Sequence, residues 1–190
     1  MSLPIKIEKF LLEQNTYLVH LKSVESTMKE IKKYIGDKNI CLIADEQTAG
    51  IGRRGNHWVS PKGNIYLSFL LNYNLSIEEH FLFTAVAANS IMLCLNNYIN
   101  ENIYIKWPND IIVNDSKIAG IMTEIVEQDG IKYVIIGIGI NIETSPKLID
   151  YKTCCINNFN SKVIYEEFLL NFFQNFFSEY AMIVKNEHTN

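Results

Sequence analysis

Alternating apolar and polar residues, or short apolar runs, predict seven β-strands along the chain. Thr16–Leu21 alternates in this way, whereas Asn39–Ala44 is apolar after its first residue, as in a buried strand. The dipeptides Asn114-Asp115 and Asp129-Gly130 are typical of tight turns and predict two consecutive hairpins in the second half of the chain. The remaining predicted strands are Asn64–Leu71, Ile103–Trp107, Asp110–Val113, Lys117–Val126 and Lys132–Ile142.

Apolar residues at helical spacing predict three helices. The first runs from Thr27 to about Ile35, with Thr27 and Glu30 as a capping box. The longest extends over Ser76–Ile99, and the last is an aromatic-rich amphipathic helix from Lys162 to about Lys185. This order of elements is not a regular β-α-β alternation. It predicts an α+β fold with a mixed, largely antiparallel sheet flanked by helices.

Length and composition are those of one ordinary globular domain. The chain has 190 residues, of which 48% are hydrophobic and 20% charged. Its net charge of −4 argues against a nucleic-acid binder, whose affinity comes mainly from neutralising phosphates, so we expect no DNA partner. No apolar run approaches the ~20 residues of a membrane span, and the first residues lack the apolar core of a signal peptide. We therefore expect a cytoplasmic protein with no membrane association.

The cysteines and histidines do not predict a metal site. The four cysteines show no C-x-x-C pairing, and the four histidines are scattered along the chain. Metal ligands therefore stay unassigned at this level.

A glycine-rich stretch after the second predicted strand contains the only two arginines, Arg53 and Arg54, in a chain with fifteen lysines. An arginine fork binds phosphate or carboxylate in a way that lysine cannot, and the ring of the nearby Trp58 is suited to cover an adenine. The segment Gly50–Gly55 matches G-x-G-x-x-G, but no helical pattern and no acidic residue before Glu78 follow it. A dinucleotide fold is therefore not predicted, while a surface loop with solvated arginines stays open as an alternative.

Five motifs, in order, resemble those of the biotin–protein ligases. The loop Gly50–Gly63 is similar to G-R-G-R-R-G-x-x-W-x-S-P-x-G, although Ile51 stands where the family commonly has arginine. The other four are Glu25-Ser26-Thr27, Lys106-Trp107-Pro108-Asn109-Asp110, Lys117-Ile118-Ala119-Gly120-Ile121 and Gly137-Ile138-Gly139-Ile140-Asn141. Both arginines and both tryptophans of the chain fall inside these motifs.

The resemblance implies the catalytic fold shared by class II aminoacyl-tRNA synthetases and biotin ligases. The implied reaction is ATP-dependent ligation of biotin to a lysine of a biotin carboxyl carrier protein, through biotinyl-5′-AMP. Biotin and ATP are the substrates, Mg²⁺ is expected with ATP, and a homodimer is consistent with the family. We expect a single catalytic domain over residues 1–190, with neither the DNA-binding winged helix nor the C-terminal β-barrel that family members carry.

The resemblance also assigns roles to individual residues. Lys117 and Arg53 are the expected catalytic cations, because a carboxylate and an α-phosphate must meet in the first step. The expected biotin-binding residues are Ser26, Thr27, Gln47, Gly50, Ile51, Gly52, Arg53 and Lys117, of which the first three offer neutral groups to the ureido ring. The expected ATP- and adenylate-binding residues are Arg53, Arg54, Trp58, Lys106, Asn109 and Asn141. Structural roles are the alternatives: a solvated strand-edge Lys117, helix capping by Ser26 and Thr27, and a turn at Pro108-Asn109-Asp110.

Two other functions compete with biotin ligation. One is a lipoate or octanoate ligase or transferase of related fold, whose members lack the arginine-tryptophan loop described above. The other is a non-catalytic biotin-binding scaffold, which Ile51 and the expected absence of the C-terminal β-barrel motivate.

Overall fold

The computed structural model describes residues 5–36, 38–72, 80–147, 151–159 and 163–186. Four α-helices lie in these ranges: α1 (Ile5–Glu13), α2 (Thr27–Glu30), α3 (His80–Leu95) and α4 (Tyr165–Asn186). The strands are β1 (Thr16–Leu21), β2 (Asn39–Ala44), β3 (Ile65–Asn72), β4 (Ile103–Lys106), β5 (Asp110–Val113), β6 (Ser116–Gln128) and β7 (Ile131–Ile140). Short 3₁₀ turns occupy Ile31–Tyr34, Arg53–Gly55 and Ile156–Asn158.

The seven described strands form one sheet in the order β1-β2-β3-β7-β6-β5-β4. β1 and β2 run parallel, and the other neighbouring strands are antiparallel. The α+β fold with a mixed, largely antiparallel sheet is therefore confirmed. The two predicted hairpins join β5 to β6 and β6 to β7, and all four of their turn residues, Asn114, Asp115, Asp129 and Gly130, have positive φ. This conformation is what tight hairpin turns require.

The two faces of the sheet are covered differently. Helices α1, α3 and α4 pack on one face and form the larger core. The other face carries α2 and the 3₁₀ turn after it, where Met28 and Ile31 pack with Leu42 and Ile135. Alternate residues of β7 show this division, because Val134, Ile136, Ile138 and Ile140 belong to the larger core and Tyr133 and Ile135 to the smaller one. Gly137 and Gly139 lie on the same face as Tyr133 and Ile135. Because glycine has no side chain, a shallow depression is left in the sheet surface beyond α2.

The helices differ in part from the sequence predictions. Helix α1 was not predicted, although Ile7 and Leu11, one turn apart, are fully buried in the larger core. The capping box at Thr27 is wrong, because Ser26 is the N-cap residue and the Thr27 hydroxyl donates to Gln47 instead. The predicted helix starts at Ser76 and Lys162 lie outside the described residues. No described helix is both long and apolar enough to cross a membrane.

Candidate active site

A pocket opens on the shallow part of the second face, between α2, the loop after β2 and strands β6 and β7. The structure brings to its walls eight of the residues that the sequence indicated: Thr27, Gln47, Ile51, Gly52, Arg53, Trp58, Asn109 and Lys117. Residues far apart in sequence therefore meet at one place, as the motif assignment requires.

One end of the pocket is built from neutral hydrogen-bonding groups. The Oε1 atom of Gln47 accepts from the Thr27 backbone N–H at 2.8 Å and from the Thr27 hydroxyl at 3.1 Å. The Gln47 amide nitrogen donates to Ser60 Oγ at 2.8 Å, and Ser68 Oγ donates to Thr27 Oγ1 at 2.9 Å. Among the described residues, the buried Ser26 Oγ has no hydrogen-bond partner. Gln47 thus orients Thr27, and Ser26 keeps its hydrogen-bonding capacity for another group.

The glycine-arginine loop folds as a short hairpin over the pocket. Gly52 N–H donates to Asn56 at 2.7 Å, Trp58 N–H donates to Gly50 at 2.9 Å, and Ile51 and His57 pair between them. Gly50 begins this hairpin, and a Cβ atom added to it would lie 2.4 Å from the Trp58 carbonyl oxygen. Only glycine fits there, since this distance is well inside van der Waals contact.

Two cations meet at the other end of the pocket. Arg53 Nη1 donates to Asn109 Oδ1 at 2.8 Å, and Lys117 Nζ forms a 2.8 Å ion pair with Asp110 Oδ1. The Lys117 side chain is only 14% exposed, and its Nζ lies 5.1 Å from the centre of the Trp58 ring. Lys117 is therefore not the solvated strand-edge lysine considered as the alternative. A partly buried cation of this kind attracts an anion more strongly than a solvated one.

Trp58 lies flat on a glycine surface of the sheet. Gly120 and Gly139 are directly paired across β6 and β7, and Cβ atoms added there would lie 3.0 Å and 2.5 Å from the Trp58 ring. The indole N–H is buried and has no partner among the described residues. Trp58 also lines a second, adjacent cavity together with Asn141 and Tyr151. The indole therefore borders both cavities.

Five predicted residues lie outside the main pocket. Asn141 lines the adjacent cavity, where its Nδ2 donates to the Cys154 carbonyl and its buried Oδ1 has no partner among the described residues. Arg54 and Lys106 are exposed and line an outer cleft. Gly50 and Ser26 are not among the residues that line the main pocket.

Sequence reasoning missed several residues of the site. Met28 and Met122 line the pocket, as do Gly120 and Ile121, which were named only as members of a motif, and the centre of the Tyr151 ring lies 5.5 Å from the Lys117 Nζ atom. Asp110 was noted only as a residue of a turn, whereas it forms the ion pair with Lys117. No sequence pattern indicated this ion pair, because Lys117 and Asp110 are brought together by the register of the strands in the sheet.

The described residues contain no group of three or more His, Cys, Asp or Glu side chains that could hold a metal ion. The four cysteines are buried and unpaired. Burial raises the pKa of Cys94 to about 11 and the pKa of Cys154 to about 12, so both are protonated thiols at neutral pH.

The described residues thus form an α+β domain with a pocket that has neutral hydrogen-bonding groups at one end and the cations Arg53 and Lys117 at the other. The chain belongs to the biotin/lipoate A/B protein ligase family, whose model matches residues 20–141.

Curated relatives support this membership. The bifunctional ligase/repressor BirA of Bacillus subtilis is 35% identical over 128 residues, which are 66% of this chain and 39% of the relative. The biotin–[acetyl-CoA-carboxylase] ligase of Paracoccus denitrificans is 35% identical over 108 residues, which are 55% of this chain and 45% of the relative. The chain thus spans less than half the length of these two relatives.

Solved structures show the same fold. The biotin protein ligase from Aquifex aeolicus in complex with biotin and ATP matches with a TM-score of 0.72 and 30% identity, over 85% of this chain and 69% of that one. The Leishmania major biotin protein ligase in complex with biotinyl-5-AMP matches with a TM-score of 0.67 and 28% identity, over 84% and 73%. The expected fold, shared with class II synthetases and biotin ligases, is confirmed.

Proposed function

We propose that this chain catalyses ATP-dependent attachment of biotin to a lysine of a biotin carboxyl carrier protein, through biotinyl-5′-AMP. One observation carries the proposal: a single pocket holds the neutral groups around Thr27 at one end and the cations Arg53 and Lys117 at the other. Biotin has matching ends, a neutral cyclic urea and a carboxylate. Structures of similar proteins with biotin and ATP, and with biotinyl-5-AMP, support the same choice of ligands.

In the first step, a carboxylate oxygen of biotin attacks the α-phosphorus of ATP, and the bond to the leaving pyrophosphate breaks. Both reactants are anions, so positive charge fixed between them lowers the barrier. Lys117 is held in place by Asp110, and Arg53 by Asn109, before any substrate arrives. Lysine has three donor hydrogens, so Lys117 can keep Asp110 while it binds the reacting carboxylate.

The adenosine of ATP would lie next to Trp58 and Asn141, where the cavity of about 10 Å³ would have to widen to admit it and the indole ring offers a flat face for adenine. Asn141 Oδ1, which no described residue hydrogen-bonds, can accept from an exocyclic amine. Arg54 and Lys106 would bind the outer phosphates. Mg²⁺ would arrive with the ATP polyphosphate, and its ligands on this chain stay unassigned.

In the second step, the lysine amine of the carrier attacks the carbonyl carbon of the anhydride. AMP leaves with the bonding electrons, and the amine loses a proton. The hairpin Gly50–Trp58 covers the pocket and would shield the anhydride from water. The carrier protein as partner, the cytoplasmic location and a homodimer all belong to this proposal.

Biotin-dependent exchange of labelled pyrophosphate into ATP tests the first step, with lipoate and octanoate as alternative acids. We expect exchange with biotin, and mass spectrometry should then show one biotinylated lysine on an added carrier domain. Exchange with lipoate or octanoate alone would indicate a ligase for that acid, and no exchange with any acid would indicate a transferase or a non-catalytic scaffold. The lipoate alternative rests on the family description, which includes lipoate ligases. A Plasmodium falciparum lipoate complex at 17% identity shows the fold alone.

A further inference from the structure

A cleft on the outer side of the Arg53–Asn109 hydrogen bond is lined by basic side chains from separate parts of the chain. Arg53 and Arg54 come from the loop, Lys106 ends β4, Lys117 begins β6, and Lys152 lies in the segment after β7. The cleft has a volume of about 540 Å³, which is within the usual size range of small-molecule sites.

The charges around this cleft are not balanced. Two carboxylates line the cleft. Asp110 forms an ion pair with Lys117, and Asp115 accepts a hydrogen bond from the Tyr104 hydroxyl at 3.0 Å. Arg54, Lys106 and Lys152 form no ion pair with any other residue in the described part of the chain. Five cations and two carboxylates therefore line the cleft, and this excess of positive charge attracts a polyanion.

Lys152 is positioned by backbone contacts to Lys117. Lys117 N–H donates to the Lys152 carbonyl at 2.9 Å, and Cys154 N–H donates to the Lys117 carbonyl at 3.0 Å. These bonds place the segment beside the start of β6 in a parallel bridge between Lys117 and Thr153. Neighbouring residues of an extended segment point to opposite sides, and accordingly Thr153 lines the cavity of Asn141 while Lys152 lines the basic cleft.

We propose that Lys152 binds the pyrophosphate part of ATP, and the pyrophosphate released from it, together with Arg54 and Lys106. The proposal rests on the proposed function, which places the α-phosphate between Arg53 and Lys117. Both of these residues line the pocket and the basic cleft, so phosphates that extend outward from that point enter the cleft. Lys152 lies outside all five motifs and is an addition to the residues that the motifs indicate.

Calorimetric titration with inorganic pyrophosphate tests this assignment without biotin. Lys152→Ala should weaken pyrophosphate binding about tenfold, the scale for one charge-assisted contact, and Lys152→Arg should restore most of it. Lys147→Ala is the matched control, because Lys147 is exposed, lies five residues upstream and does not line the cleft. It removes the same charge from the same region and should leave binding unchanged.

In the exchange assay, Lys152→Ala should raise the KM for pyrophosphate about tenfold and leave the KM for biotin unchanged. The assignment is overturned if Lys152→Ala binds pyrophosphate as the unsubstituted protein does, if Lys147→Ala loses as much, or if the unsubstituted protein does not bind pyrophosphate. Failure of the proposed function appears differently: the unsubstituted protein binds pyrophosphate but shows no biotin-dependent exchange.

Discussion

Two glycines of β7 lie next to different ends of the candidate site. Gly137 and Gly139 lie on the same face of the strand; a Cβ atom at Gly137 would lie 2.5 Å from Met28 Sδ, and one at Gly139 2.5 Å from Trp58 Cε2. We therefore predict opposite effects for two minimal substitutions. Gly139→Ala should weaken ATP binding and spare biotin, whereas Gly137→Ala should weaken biotin binding and spare ATP.

The size of each effect follows from what the added methyl group meets. Ordinary contact begins near 3.4 Å, so the Trp58 ring must move by about 0.9 Å in Gly139→Ala. The ring is rigid and already lies close to Gly120, so it can only tilt off the sheet. Loss of an aromatic–base stack costs ~1–3 kcal/mol, which is roughly 5- to 150-fold in ATP affinity. Met28 is flexible, so Gly137→Ala should cost only about 1 kcal/mol, roughly fivefold, in biotin affinity.

Calorimetry with biotin and with a non-hydrolysable ATP analogue measures both affinities in each variant. Gly36→Ala is the control, because the nearest atom to a Cβ there is 4.0 Å away and no clash arises. The reasoning is wrong if Gly139→Ala binds the ATP analogue normally. Equal losses for both ligands with a lower melting temperature would show instead that Trp58 serves the core.

Four further measurements test other parts of the site. Lys117→Ala should fold but slow adenylate formation in a single turnover by ~10²-fold or more, since one preorganised charge is lost; a near-normal rate would remove Lys117 from the mechanism. Arg53→Gly should release biotinyl-adenylate and label bystander lysines, whereas labelling of the carrier alone at the unsubstituted rate would contradict this. Biotin should slow amide hydrogen exchange across residues 47–57, and equal exchange with and without biotin would exclude closure of the loop. Because burial raises their pKa values to about 11 and about 12, Cys94 and Cys154 should resist alkylation at pH 8 until the protein is denatured; rapid alkylation of the native protein would contradict their burial.

Most of the fold could be predicted because strand signals are local. All seven predicted strands occur, with boundaries within two residues of the prediction, since alternation and turn residues specify them directly. Helix α1 escaped prediction because its nine residues form only about two and a half turns, and its stability comes from burial of Ile7 and Leu11 rather than from local signals. The Thr27 hydroxyl was misassigned for a similar reason, because its partner Gln47 lies 20 residues away.

The site could be predicted in outline but not in its contacts. The motifs named the loop and Lys117, whereas the pairing of Gly120 with Gly139 depends on the register between β6 and β7. The same limit applies to the Asp110–Lys117 ion pair and to Lys152, which reaches the basic cleft only because its segment pairs with the start of β6. Sequence motifs show which residues are used, and long-range pairing decides which of them touch.

The pocket exists because two central strands carry glycine on one face. A glycine inside a strand destabilises it by roughly 0.5–1 kcal/mol relative to alanine, so Gly120, Gly137 and Gly139 together cost about 1.5–3 kcal/mol. On the opposite face of β7, Ile136, Ile138 and Ile140 fill the core, so the loss is confined to the side that bears the pocket. The buried indole N–H of Trp58, which has no partner among the described residues, adds a further cost of about 1–3 kcal/mol. The three glycines and the buried indole therefore lower the stability of the fold where the Trp58 ring lies directly on the sheet. For this reason we expect the methyl group added by Gly139→Ala to weaken ATP binding rather than to destabilise the fold.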